Sequence, residues 1–250
     1  FIDFFGIVPS DIRDGTISLA DAAERFFADR RDEKPMGLIV PQEIITMLKI
    51  MAACPRYRDL QLTAFVSHTD VDMQKQFAAL TVLLNKREMY VAFRGTDDTL
   101  VGWKENFNMG GRQAVPSQIE AVEYTNRVAK NARYRRVYIG GHSKGGNLAV
   151  YAAAHCDKRI KSRIVSVYSN DGPGFRLEVV RSEAYRSIEK KIVNIIPQSS
   201  IVGRLLENNN RYTVVQSSAA GLWQHDGFSW QISGASFVEA GELSKESEMI

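Results

Sequence analysis

The spacing of apolar positions divides the chain into stretches of different period. Over residues 1–60 the period is helical. In "SLADAAERFFADRR" Ser18 stands as an N-cap with Asp21 three residues on, and apolar positions then recur at helical spacing. "PQEIITMLKIMAAC" puts Pro41 at a helix start and Ile44, Ile45, Leu48 and Met51 on one face. After Pro55 the runs become short and β-like. Residues 62–69, 76–84 and 88–95 read as strands joined by polar turns.

From residue 116 onward helical and strand patterns alternate. A helix is expected over 116–132, then the strand "RRVYIGG", an alanine-rich helix and a strand over 163–171. A helix in "RLEVVRSEAYRSIEK" leads to the strand "KIVNIIP", a short helix in "SSIVGRLL" and a last strand "RYTVVQSS", with the loop "GLWQHDGFSW" beyond it. Strands separated by helix-length segments build βαβ units, so the expected class is α/β. Its central sheet is mostly parallel, with helices on both faces. Neither a repeat nor a linker divides the chain. Residues 1–250 are therefore expected to form a single domain, with the helical 1–60 segment packed on its core.

Composition narrows the function more than the fold. With 44% apolar and 24% charged residues the chain has the make-up of an ordinary soluble protein. No apolar run is long enough to span a bilayer, so stable membrane insertion is not expected. No signal-peptide pattern opens the sequence, although a start at Phe1 leaves room for a lost targeting segment. The formal charge is only +3, and the basic clusters "KNARYRR" (130–136) and "KRIKSR" (158–163) lack an accompanying basic-aromatic module. They read as solvated helix ends and loops, and a nucleic-acid partner is not expected. Cys54 and Cys156 form neither a CxxC pair nor part of a histidine cluster, which fits a reducing, cytoplasmic setting. The sequence carries no signal for oligomeric state.

The chemistry concentrates where the strand "VYIGG" meets the alanine-rich helix. Gly141-His142-Ser143-Lys144-Gly145 matches G-x-S-x-G, a strained strand-to-helix turn that exposes a serine hydroxyl at the carboxyl edge of a sheet. Such a hydroxyl needs a base to take its proton. Of the four histidines, His142 adjoins the serine and should point away from its hydroxyl. His155 lies in the last helical turn, where it can complement the helix dipole, and His68 ends an early strand. His225 follows the last strand, which suits the order Ser, then Asp or Glu, then His.

The carboxylate that orients the base is assigned to Asp171, at the end of the strand after the nucleophile's helix. The end of the next strand offers Ser199 and Ser200 but no acid. Glu207 is a helix further on, and Asp226 is too close in sequence to reach its neighbour's ring. For the developing oxyanion, the backbone N–H of Lys144 is one donor. Thr96, at the end of "YVAFRGTDD", offers a second through its backbone N–H and hydroxyl.

"VAFRGTDDTLVGW" followed by "GHSKGG" resembles the class 3 lipases, the fungal triacylglycerol-lipase-like branch of the α/β-hydrolases. "SNDGPGF" and "QHDGFSW" look more like a bacterial lipase-like group within that branch. The likeness spans roughly residues 60 to 230. It implies the α/β-hydrolase fold, Ser143 as nucleophile, His225 as base, and Thr96 with Lys144 as oxyanion donors. Two positions depart from it. Those lipases keep their acid in an Asp-Ile-Val-Pro segment, where this chain has "SSIVG" with Ser200 at the aspartate's place. Either Asp171 has taken the role or the triad is incomplete. The Lys144 side chain also stands where a leucine is usual; either it favours an anionic acyl group or, as the first turn of a helix suggests, it is solvent-exposed.

The lid of such lipases would correspond to residues 104–117, which are too polar for a strong one. The sequence therefore points to a serine carboxylesterase acting on small acyl esters or lipid-like substrates of moderate apolarity. A hydrolase fold kept only for binding or regulation is the alternative. An amide in place of the ester also remains open. No HExxH, P-loop or dinucleotide fingerprint calls for a metal or organic cofactor, and none is expected.

Overall fold

The computed structural model describes residues 2–33, 43–70, 72, 75–95, 114–208 and 211–244. Helix α1 (Leu19–Ala28) starts as its sequence dictates, with the Ser18 hydroxyl accepting from the Asp21 N–H at 3.0 Å. Its buried face, Leu19, Ala22, Ala23 and Phe26, packs with α2 (Glu43–Ala53). Strand β1 (Ile17–Ser18) adds a two-residue edge that the apolar pattern does not reveal.

Strands β2 (Gln61–Asp70), β3 (Lys75–Leu83) and β4 (Glu88–Phe93) follow, all antiparallel in pairing. Helix α3 (Pro116–Val128) leads into β5 (Arg136–His142), and α4 (Lys144–His155) with the short α5 (Lys158–Lys161) leads into β6 (Ile164–Asn170). Beyond β6 the expected long helix is two single turns, α6 (Leu177–Val180) and α7 (Glu183–Arg186). Ser182 breaks it by acting as a fresh N-cap, accepting from the Tyr185 N–H at 3.2 Å. Strands β7 (Ile192–Pro197) and β8 (Tyr212–Val215) complete the sheet, and the segment expected as a helix between them is a 3₁₀ turn, Val202–Arg204.

The eight strands lie in sequence order, and β4 to β8 are parallel neighbours. A separate hairpin, β9 (Ile232–Ser233) with β10 (Ser236–Phe237), follows the last loop. On one face α3, α4 and α7 cover Phe77, Ala79, Val91 and Ile139. On the other, α1 and α2 cover Leu62, Leu80 and Val82, and further along Tyr90 stacks with Tyr168 at 6.3 Å. Both faces thus carry helices on a sheet whose central and carboxyl-terminal half is parallel, the α/β-hydrolase arrangement. Among the described residues no helix is long and apolar enough to cross a membrane.

Candidate active site

The geometry begins at the turn between β5 and α4. Ser143 has φ +57° and ψ −132°, a conformation that costs a non-glycine residue about 1–3 kcal/mol and persists only where its surroundings enforce it. Those surroundings are close. A Cβ on Gly145 would collide with the Phe93 carbonyl, and one on Gly141 would meet the same carbonyl at 2.5 Å. The glycines therefore let α4 start directly against the end of β4. Gly95, two residues past that strand, would place a Cβ 2.9 Å from the His142 carbonyl oxygen and 3.3 Å from the Ser143 Cβ. The segment after β4 thus runs alongside the serine. The Ser143 N–H donates to the Asn170 carbonyl at 2.9 Å, which ties the turn to the end of β6.

Asp171 follows Asn170 and is fully buried, at φ +47°. Aspartate tolerates this left-handed region better than most residues. Its Oδ2 lies 2.6 Å from His225 Nδ1. Its Oδ1 accepts from the Ser200 hydroxyl at 2.5 Å and from the Gly203 N–H at 3.0 Å. Ser200, at the position where the resemblance calls for the acid, is therefore a hydrogen-bond donor to Asp171, directly after the neighbouring strand β6. Asn147, one turn into α4, donates to the carbonyls of Pro173 at 3.1 Å and Gly174 at 2.8 Å, and accepts from Gln118 Nε2 at 2.8 Å. These bonds hold the loop after Asp171 onto the helix that follows Ser143.

His225 ends a 3₁₀ segment, Gly221–His225. The backbone before it is tied by the buried Gln224. Its Oε1 accepts from the Ser199 N–H at 2.8 Å, its Nε2 donates to the Ala219 carbonyl at 3.0 Å, and its own carbonyl accepts from Trp230 Nε1 at 2.8 Å. His142 reaches His225. Its Nε2 donates to the His225 carbonyl at 2.6 Å, and the two rings are tilted at 36° with centroids 4.5 Å apart. Burial, and then the neighbouring His225 ring, push the His142 pKa down to about 4, so it is neutral near neutral pH.

Ser143, Asp171 and His225 thus share one end of the sheet. The other two sequence assignments fare differently. Thr96 lies outside the described residues, as does the lid stretch up to residue 113. Lys144 is where the turn motif puts it, but its side chain is not solvent-exposed. It is 1% exposed, and its Nζ donates to the Gln76 carbonyl at 2.8 Å. The reason is that the first turn of α4 is wedged beneath β3 and β4, so a first-turn position here faces the interior.

The remaining histidines are accounted for locally. His68 lies within β2 and bonds Glu120, while His155 stacks on Tyr151 at 4.2 Å, with burial lowering its pKa. That shift runs against a role as a charged complement to the helix dipole. Both cysteines are free thiols. Among the described residues no group of three or more His, Cys, Asp or Glu is placed to hold a metal ion. A groove of about 1330 Å³, lined by Asp11, Arg13, Gln61, Lys86 and Arg133 among others, lies at the opposite edge of the sheet from Ser143.

Sequence reasoning missed Ser200, Gln224, Trp230 and the contact made by His142. No local pattern signals them, because each acts through a residue on a different element.

A protein-family model described as Mbeg1-like matches residues 51–250. No curated protein matches the sequence. Among solved structures, a fungal lipase–inhibitor complex described as a model for interfacial activation is 13% identical, covers 71% of this chain and 73% of its own, and has a TM-score of 0.45. M37 lipase is 13% identical over 65% of this chain and 61% of its own, with a TM-score of 0.43. The native Rhizomucor miehei lipase propeptide complex is 14% identical over 68% of this chain and 62% of its own, at 0.47.

Proposed function

The chain belongs to the Mbeg1-like family, and on that premise we propose that it is a serine hydrolase of carboxylic esters. The observation that carries the reading is the 2.6 Å approach of a fully buried carboxylate to His225 Nδ1, at the end of the sheet where a serine is held on a strained elbow. In this mechanism Ser143 Oγ attacks the ester carbonyl carbon while His225 Nε2 takes its proton. Asp171 fixes the imidazole with Nδ1 protonated and stabilises the imidazolium that forms. The tetrahedral oxyanion accepts from the Lys144 backbone N–H and from Thr96. The approach of Gly95 to Ser143 supports the second donor. The imidazolium then protonates the departing alcohol, and water, deprotonated by His225, resolves the acyl-enzyme. No metal or organic cofactor takes part.

Apolar surface flanks the base. Trp223 is 80% exposed and Leu222 59%, two and three residues before His225. That favours an acyl substrate with an apolar portion, either a small ester or a lipid-like one. The alternative of a non-catalytic hydrolase fold drew on the serine at position 200. The Ser200 bond to Asp171 weighs against it, since Asp171 offers a carboxylate directly after β6.

The test is hydrolysis of p-nitrophenyl esters from acetyl to palmitoyl by the wild type and by Ser143→Ala. The reading predicts turnover of at least one chain length that is lost in the variant. Turnover undiminished in Ser143→Ala would overturn it, as would no turnover of any ester.

A further inference from the structure

We propose that His142 is a positioning residue for His225, registering the base against the nucleophile through the same peptide that carries the nucleophile. The inference deepens the reading above and rests on it. It starts from the connections of His225. The ring is held from one side by Asp171, which reaches it across the end of β6. The main chain is held by His142 Nε2 on the His225 carbonyl at 2.6 Å. A carbonyl oxygen can only accept, so Nε2 carries the proton and His142 is fixed in that tautomer. The rings lie at 36° with centroids 4.5 Å apart, and the edge of Trp230 closes the cluster at 6.3 Å.

The placement gives this contact its consequence. His142 immediately precedes Ser143, so one dipeptide orients the nucleophile through its backbone and the base through its side chain. Ser143 and His225 are 82 positions apart in the chain, yet a displacement of the elbow carries both partners together.

The test pairs two substitutions in the full chain. His142→Phe keeps an aromatic ring and loses the donor, while His142→Gln keeps a donor of similar reach. Their readouts are kcat and KM on the preferred p-nitrophenyl ester, and the deshielded Nδ1 proton of His225 in the NMR spectrum. The expected result for His142→Phe is a fall in kcat of about 10- to 100-fold with KM nearly unchanged, the scale of a misplaced catalytic group, and a broadened or lost proton signal. His142→Gln should restore most of kcat and the signal. Phe and Gln variants that behave alike would overturn the proposal, as would an unperturbed signal in His142→Phe.

Should His142→Phe fail to fold, the tautomer of His142 in the wild-type protein decides. A proton on Nε2 supports the proposal and a proton on Nδ1 contradicts it. A wild type without esterase activity that still shows the His225 proton would defeat the proposed function, and the NMR arm would judge the role of His142 by itself.

Discussion

At the amino ends of the parallel strands, cations close the carbonyls of helix ends. Arg163 donates to the carbonyls of Ala129, Asn131 and Tyr134 just past α3. Lys161 donates to the Ala154 carbonyl in the last turn of α4, and Lys191 to the Lys161 carbonyl at the end of α5. Lys158 and Arg159, on the same edge, stay exposed. At the carboxyl ends two charged groups, Asp171 and Lys144, are instead enclosed. Asp171 is fully buried and bonded by a hydroxyl, a backbone N–H and an imidazole, and Lys144 is buried against the Gln76 carbonyl. Charge at the first edge acts on helix dipoles and local backbone. Charge at the second is desolvated and directed at particular atoms, which makes an ionisable group useful in catalysis.

The contrast is sharpest in substitutions of the second edge. Ser143→Ala should abolish turnover down to the residual level left by the oxyanion donors, a loss of about 10³-fold or more in kcat. Asp171→Asn keeps the shape and the left-handed backbone but offers Nδ1 no anion, and should cost about 10³- to 10⁴-fold in kcat with the fold intact by circular dichroism. Ser200→Ala removes one donor to that carboxylate. A hydrogen bond to a charged group is worth about 1.5–3 kcal/mol, so a loss of about 10- to 150-fold in kcat/KM is expected, short of Asp171→Asn.

The first edge should respond in stability and not in catalysis. Arg163→Ala strands carbonyls at the α3 terminus and should cost about 2 kcal/mol in urea unfolding, with turnover per folded molecule unchanged. Lys158→Ala and Arg159→Ala should stay within about 0.5 kcal/mol. Loss of turnover in the Arg163 variant, or stability loss alone in the Asp171 one, would break the division between the edges.

His142 adds a pH dependence to the second edge. Its folded pKa of about 4 lies below the ordinary value of 6.5, so the unfolded chain binds the proton first. Its contribution is therefore fully present above about pH 6.5 and is lost as pH falls toward 4. Urea titrations across that window should show a declining midpoint in the wild type and a shallower decline in His142→Phe.

What was legible in the sequence follows from which signals are local. The strands from Gln61 to Phe93 and the alternating elements after Pro116 show themselves by period, and the elbow by glycines that must sit beside Ser143. Chain order at strand ends singles out Asp171 and His225, whose side chains the fold brings within 2.6 Å of each other. The breaking of the helix after Arg176 is also local, resting on one serine within a helix-forming stretch, yet the apolar period runs through it. Ser200, Gln224 and the imidazole of His142 could not be read. Their partners stand 29, 25 and 83 positions away, and only the folded sheet brings them together. The burial of Lys144 was hidden for the same reason, since nothing near it in sequence shows that β3 and β4 cover the first turn of α4.

The central claim is that an activated serine sits at position 143. Labelling with a fluorophosphonate probe, followed by mapping of the modified residue, tests it without knowledge of the substrate. The account predicts modification at Ser143 in the wild type, none there in Ser143→Ala, and a rate that falls sharply in Asp171→Asn. A folded wild type that takes up no probe would contradict it, as would labelling at Ser143 that is indifferent to Asp171→Asn.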